Sequence, residues 1–309
     1  MNIAEVFNKN TLGNFTWKIV RGILIIGLSF LILYPFLIKI SGSIMAYQDI
    51  YDAAVNWIPR NFTLDHYRVA WDSMKFPSAL INSLTLTVLV TFLQVISCTV
   101  IGYGFGRFDF KGKNLLFILV LLTLIVPPQL IMIPIYLNFR FFELFGIFGE
   151  GGINLIGTYW PFVLTGLTGM GLKNGLYIYI MRQFFKGMPD TLEEAAYVDG
   201  AGSLRTFLQI MLPGALPAIV IVFIFSFVWQ WNDVFYLNLY IRNVSGYLSH
   251  ELQNFAFRYL EDSGYAYSWS IITLLENAGM ILFMSPLILM FAFMQRYFIE
   301  SVERTGIVG

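Results

Sequence analysis

Residues 182–213 read RQFFKGMPDTLEEAAYVDGAGSLRTFLQIMLP. This stretch decides the fold, because it is a long polar loop with an apolar run on each side. Pro189 ends the helix that enters it. Asp190 can cap a new helix, and Glu193 three residues later completes a capping-box pattern that satisfies two orphan amides. The helix is expected to continue through Glu194, Ala195 and Ala196 until Gly200 lets the chain turn. A second helix is expected from Ser203 to Met211, with Pro213 opening the next apolar run. Ala195 and Ala196 add almost no side chain, so this helix suits a groove in another protein. Glu194 offers that protein a carboxylate.

Outward from the loop, the chain is built for lipid. Of its 309 residues, 57% are hydrophobic and 12% are charged, where a soluble domain carries about 25% charged residues. A membrane-crossing helix needs about 20 apolar residues, and the stretches that qualify are 19–40, 80–104, 114–137, 157–181, 213–233 and 274–296. The first is too long for a signal-peptide core and no small-residue cleavage site follows it, so it reads as an uncleaved span. With the N-terminus inside, short basic segments carrying Lys9, Lys18, Arg21, Arg107, Lys111, Lys113, Arg182, Lys186, Arg205, Arg296 and Arg304 face the cytoplasm, as basic-residue bias requires. The 182–212 loop then also faces the cytoplasm. The expected fold is an all-α polytopic membrane protein: one domain over residues 1–309, six transmembrane helices, both termini cytoplasmic.

Several function classes drop out. Net charge is zero and no basic block exists, so nucleic acid is not a partner. Cys98 is the single cysteine, which excludes disulfides and cysteine metal sites. His66 and His250 lie far apart in polar segments and read as solvated, not as metal ligands. The turn Gly106–Asn114 has five residues between its glycines and Asn114 where a phosphate loop needs Ser or Thr. No cofactor and no catalytic residue are expected, and the energy for any transport must come from a partner.

Some polar and special residues fall inside the apolar runs. Lys173 precedes Arg182 by nine residues, about 14 Å along a helix, and follows the glycine-rich Gly166–Gly171, which is expected to break the 157–181 span. Broken helices near the midplane line transport sites, so Lys173 and Asn174 are candidates for a solute pathway, against the plainer alternative of a snorkelling or structurally paired lysine. Trp231 and Asn232, and Glu276 with Asn277, are further pathway candidates at outer helix ends. For Glu276 and Asp233 the plainer reading is a solvated helix-end carboxylate. Trp229, Trp231, Tyr236 and Trp269 read as an interfacial belt. Gly102 and Gly106 form a GxxxG pair that lets another helix approach. Pro127, Pro128, Pro134 and Pro286 should kink their helices.

The spacing of Glu194-Ala195-Ala196, three residues, Gly200, nine residues, then Ile210-Met211-Leu212-Pro213 resembles the coupling loop of bacterial ABC importer permeases. Similarity to the carbohydrate-uptake, maltose-transporter-like branch extends over nearly the whole chain. It includes Trp57-Ile58-Pro59, Gly102-Tyr103-Gly104-Phe105-Gly106-Arg107-Phe108, Pro127-Pro128-Gln129, Met181-Arg182-Gln183-Phe184-Phe185 and Trp231-Asn232-Asp233. The resemblance implies a permease subunit in a prokaryotic cytoplasmic membrane, moving a sugar or oligosaccharide by alternating access. Its implied partners are a second permease, an ATP-binding cassette dimer and an extracytoplasmic solute-binding protein. It assigns ATPase coupling to Glu194, Ala195, Ala196, Asp199, Gly200, Ile210, Leu212 and Pro213, and a reach toward the ATPases to the tail Tyr297–Gly309. An ion-driven secondary transporter would show internal repeats and leaves the loop unexplained. An intramembrane transferase would need clustered His, Asp or Glu, and none is seen.

Overall fold

The computed structural model describes residues 9–52, 54–55, 57–149, 151–264 and 268–306, with side chains described over 16–295 of these. Besides the four-residue turns Tyr47–Ile50 and Pro128–Ile131, its helices are α1 (Lys9–Ser43), α2 (Asp65–Ser73), α3 (Phe76–Arg107), α4 (Lys113–Ile125), α5 (Met132–Arg140), α6 (Trp160–Leu167), α7 (Asn174–Gly187), α8 (Thr191–Val198), α9 (Ser203–Gly214), α10 (Leu216–Trp231), α11 (Phe235–Tyr240), α12 (Leu248–Ser263) and α13 (Trp269–Gly306). Among the described residues the only β-pairing is two isolated bridges, Met45 with Phe62 and Phe142 with Ile153. The protein is all-helical, as expected.

The spans differ from the expected set. Among the described residues, three helices are long and apolar enough to cross a membrane unbroken: Thr16–Ser43, Phe76–Arg107 and Trp269–Gln295. Two more qualify only as bent pairs, Lys113–Ile125 with Pro128–Arg140 (102°) and Ser203–Gly214 with Leu216–Trp231 (73°). The first bend has a local cause. A residue before proline avoids the helical region, and both Val126 (ψ 117°) and Pro127 (ψ 132°) are extended. Pro134 makes no second break. It is the third residue of α5, where the N–H it lacks would have no intrahelical acceptor. The stretch 157–181 is broken at its glycine-rich segment, as expected, into α6 and α7, parted where Gly169 (φ 72°) and Lys173 (φ 61°) take left-handed backbone. Of the tail Tyr297–Gly309, residues 307–309 and all its side chains lie outside the described residues.

The chain divides into two compact units, Met1–Ser73 with Phe255–Phe283, and Met74–Asn254 with Met284–Gly309. In the first, Asp49 is buried and pins the loop after α1. It accepts from the backbone N of Asn61 (2.8 Å) and of Arg60 (2.7 Å) and from Asn61 Nδ2 (2.7 Å). Those bonds, the Asn61 backbone first, hold its carboxyl below the ordinary value. His66 is not a solvated residue. It is fully buried, with Nε2 2.8 Å from the Met45 carbonyl, because α2 folds back over that carbonyl.

In the second unit α3 is central and packs along α7, α10 and α6. Lipid offers no hydrophobic gain to helix pairing, so close packing must supply the stability. Cys98 and Tyr103 of α3 meet Tyr177, Met181 and Phe185 of α7 in one buried cluster, with Met211, Ala218 and Val222. The glycine pair does what its spacing predicts, and its partner is α7. A Cβ on Gly102 would sit 2.4 Å from Met181 Cβ and 3.0 Å from the Arg182 backbone N; one on Gly106 would meet Phe185 Cβ at 3.0 Å. Because backbone is in the way, Gly102→Val must part the helices. Overpacking of this kind costs roughly 2 kcal/mol or more, read as a lowered melting temperature of the detergent-purified chain, while Gly104→Ala, where a Cβ meets nothing within 4 Å, leaves it unchanged.

A second cluster gathers Leu86, Val90, Phe139, Phe162, Leu237 and Tyr240. Trp231 does not join a headgroup belt: it is buried and stacks on Phe227, ring centres 6.0 Å apart. Trp229 and Trp269 are exposed. The sequence reading placed no element between residues 233 and 274, yet α12 lies there, burying Leu248, Phe255, Ala256 and Leu260 on one helical face.

Candidate coupling loop and transport pathway

The capping box is not formed. Asp190 is in helical conformation and neither it nor Glu193 caps a backbone amide by its side chain. Both carboxylates turn instead onto α3. Arg107 Nη1 lies 2.5 Å from Asp190 Oδ1, its Nη2 donates to the Pro189 carbonyl at 3.2 Å, and its Nε lies 2.8 Å from Glu193 Oε2. The last is an ion-pair contact whose angle falls outside a hydrogen bond. Tyr103 Oη donates to Glu193 Oε1 at 2.7 Å. A guanidinium gains more from two carboxylates than a short helix gains from one cap, and that decides the contest. The Arg107 side chain is 6% exposed and that of Glu193 14%, against 81% for Asp190. The buried half of the clamp is therefore Arg107–Glu193.

With α8 fixed to α3, its other face is open. Glu194 and Ala195 are exposed, while Ala196 is buried against its own chain. Only one of the two alanines is thus on the outer surface, unlike the expectation for both. Helix α8 ends as predicted at Gly200 (φ 79°), whose N–H bonds the Tyr197 carbonyl (3.0 Å) while Ala201 N–H reaches back to Ala196 (2.9 Å); this is a Schellman closure. Asp199 and Gly200 are exposed. Beyond the turn, α9 contains a π-helical stretch at Phe207–Met211. Met211 is buried, Ile210 and Leu212 are half-buried, and Pro213 is exposed. The ring of Phe207 lies 4.6 Å from that of Tyr103, a second tie to α3. Tyr197, Val198, Leu204 and Leu208 leave an apolar outer face around Glu194.

The break between α6 and α7 is held by polar side chains of α3. Ser97 Oγ donates to the Gly166 carbonyl (2.6 Å) and Gln94 Nε2 to the Leu172 carbonyl (3.2 Å), while Gln94 Oε1 accepts from Ser226 Oγ of α10 (2.5 Å). Interrupted helices survive at membrane depth where neighbours satisfy the freed backbone groups. A cavity of about 390 Å³ opens beside the break, with Gln94, Asn138, Thr165, Phe139, Tyr236 and Tyr240 in its wall. An adjoining one of about 300 Å³ is lined by Lys173, Asn174, Thr123, Pro127 and Tyr236.

Lys173 and Asn174 are thus placed together at the break. Lys173 Nζ lies 4.6 Å from the Trp229 ring centre. Asn174 is buried. Trp231 is buried away from these cavities' walls, and Asn232 is exposed, its Nδ2 donating to the Val228 carbonyl at 2.8 Å. Asp233 is not a solvated helix end: it is buried and accepts from the Tyr236 backbone N at 3.1 Å, holding the first turn of α11. Glu276, half-buried, and Asn277, buried, belong to the other compact unit, where Asn277 lines a cavity of about 170 Å³ with Ser41 and Trp57. The sequence reading missed Gln94, Ser97, Tyr103, Arg107 and Glu193 as site residues. The available signal is a Gln in the middle of an apolar run, where an unpaired amide is costly; Arg107 reads from the sequence only as one of the basic residues that set orientation.

Comparison with known proteins agrees with this architecture. Residues 98–304 match the family described as binding-protein-dependent transport system inner membrane component. A probable ABC transporter permease protein of Pyrococcus horikoshii is 29% identical over 279 residues, covering 90% of this chain and 92% of its own. The arabinooligosaccharides transport system permease protein AraQ of Bacillus subtilis is 27% identical over 287 residues, 91% of this chain and 92% of its own. A crystal structure of a bacterial ABC transporter involved in the import of the acidic polysaccharide alginate shares the fold, with a TM-score of 0.70 and 22% identity over 93% of this chain and 98% of that one. A membrane component of a transport system, rather than an enzyme, is what the match describes. The chain belongs to the family of binding-protein-dependent transport system inner membrane components.

Proposed function

We propose that this chain is the permease subunit of an ABC importer for a sugar or oligosaccharide in a prokaryotic cytoplasmic membrane. The whole chain works as one transmembrane domain that crosses the membrane six times, counting α6 with α7 as a broken span, with both termini in the cytoplasm. It pairs with a second permease, receives solute from an extracytoplasmic binding protein, and is driven by a dimer of ATP-binding cassette subunits. The observation that carries this reading is the clamp of Arg107 on Asp190 and Glu193. It makes α8 a rigid extension of α3, so a displacement of α8 is delivered to the helix at the centre of its unit. The partner ATPase grips the opposite face, with Glu194 and Ala195 at its centre, Asp199 and Gly200 at its turn, and Ile210, Leu212 and Pro213 tying the lever to α10. Closure of the ATPases on ATP then rocks the two permeases between inward-open and outward-open forms. The names of relatives such as AraQ support the saccharide class, and the amide, hydroxyl and aromatic wall of the larger cavity suits it chemically.

The topology and the docking face are tested together with one thiol. Cys98 is fully buried, and Val198 is 87% exposed. A Val198→Cys chain should react with a membrane-impermeant maleimide in inside-out vesicles and not in intact cells, and bound ATPase subunits should block that reaction. Labelling of intact cells would overturn the orientation; full labelling under saturating ATPase would overturn the docking face.

A further inference from the structure

Among the described residues, Lys173 is the only charged one lining either of the two cavities beside the α6–α7 break. None of the ion pairs found among the described residues includes it. Its ammonium stands over the exposed Trp229 ring, a contact that orients the charge and brings no negative partner. The backbone beneath it is left-handed, φ 61°, like that of Gly169 nearby at φ 72°. A glycine would hold that turn with less strain, so the lysine sits there at a conformational disadvantage. The next residue adds an independent observation. Asn174 is 1% exposed, and neither its Nδ2 nor its Oδ1 has a hydrogen-bond partner among the described residues. Buried amides are normally satisfied, and this one, with a donor and an acceptor, lines the same cavity of about 300 Å³ as Lys173.

A cation within a membrane helix bundle normally pairs with a carboxylate or faces a pathway. Among the described residues no carboxylate lines this cavity, so the chain itself supplies no negative partner for the lysine. Resting on the reading of the chain as a saccharide permease, we propose that the transported saccharide is acidic. Lys173 receives a sugar carboxylate, and the Asn174 amide bonds neighbouring hydroxyls, donating to one through Nδ2 and accepting from another through Oδ1. A neutral sugar would satisfy Asn174 and leave Lys173 without a partner.

The test uses the full chain in lipid nanodiscs and trimers of galacturonate and mannuronate, each as the free acid and as the methyl ester, which keep the same ring hydroxyls while the ester lacks the negative charge. Binding is read by saturation-transfer NMR titration. At least one acid should bind tenfold or more tighter than its ester. Lys173→Gln should reduce the acid to the ester's affinity and leave the ester unchanged, which also shows that the variant is folded; Lys173→Arg should keep most of the preference. Equal binding of acid and ester by the unmodified chain, or a preference that survives Lys173→Gln, overturns the acidic cargo and leaves the saccharide reading standing. If no acid or ester binds, the saccharide site itself is overturned.

Discussion

Arg107→Ala should uncouple the assembled transporter: solute-stimulated ATP turnover in proteoliposomes falls at least tenfold, and uptake falls with it. The buried geometry sets the size of the effect. Removing one partner of a buried ion pair leaves the other charge without compensation, at a cost of roughly 3–5 kcal/mol, and here the residue left behind is Glu193, whose side chain is 14% exposed. The α8 helix then loses its anchor on α3, and movement of the loop no longer reaches the bundle. Asp190 separates this from a general loss of charge. Its side chain is 81% exposed, and an ion pair so open to water contributes less than about 1 kcal/mol. Asp190→Asn should therefore retain most of the stimulated turnover while Glu193→Gln does not. Equal loss in both, or a normal rate in Arg107→Ala, would show that the clamp does not transmit the stroke.

Glu194→Lys should produce the same functional loss by a different route. The side chain is exposed on the face of α8 that the clamp leaves open, so its reversal should not disturb the fold, and the melting temperature of the purified chain should match that of the parent. Against a basic residue of the ATPase, however, an attractive contact becomes a repulsive one, and like charges at an interface cost several kcal/mol. Stimulated ATP turnover should fall at least tenfold and the ATPase should dissociate more readily, with the defect deepest at low salt. A variant that turns over normally with solute would remove Glu194 from the ATPase contact. The two substitutions are thus told apart by stability: Arg107→Ala lowers it and Glu194→Lys leaves it alone.

Most of the helical plan could be read from the chain because its determinants are local. Apolar run length sets where helices lie, paired prolines force Val126 and Pro127 out of helical geometry, and Gly200 supplies the left-handed turn that ends α8. The GxxxG of Gly102 and Gly106 announced a close helix approach, although it could not say that α7 would be the neighbour. The errors share one physical origin. Asp233 and Trp231 sit at the edge of an apolar run and His66 in a polar segment, where composition alone favours water or headgroups; each is buried by residues distant in sequence or by a following turn that the local pattern does not encode.

The loop shows the division most sharply. The sequence by itself determined that residues 182–213 form a polar stretch between apolar runs, contain two short helices and expose Glu194, since breakers, glycine closure and polarity act over a few residues. It also implied a capping box from the spacing of Asp190 and Glu193. Only the tertiary structure decided otherwise, because Arg107 and Tyr103, more than eighty residues earlier in the chain, arrive beside those carboxylates when α3 packs on α7. A charge-assisted contact to a buried guanidinium outweighs a local cap, and no reading of one segment can supply a partner that folding brings from another.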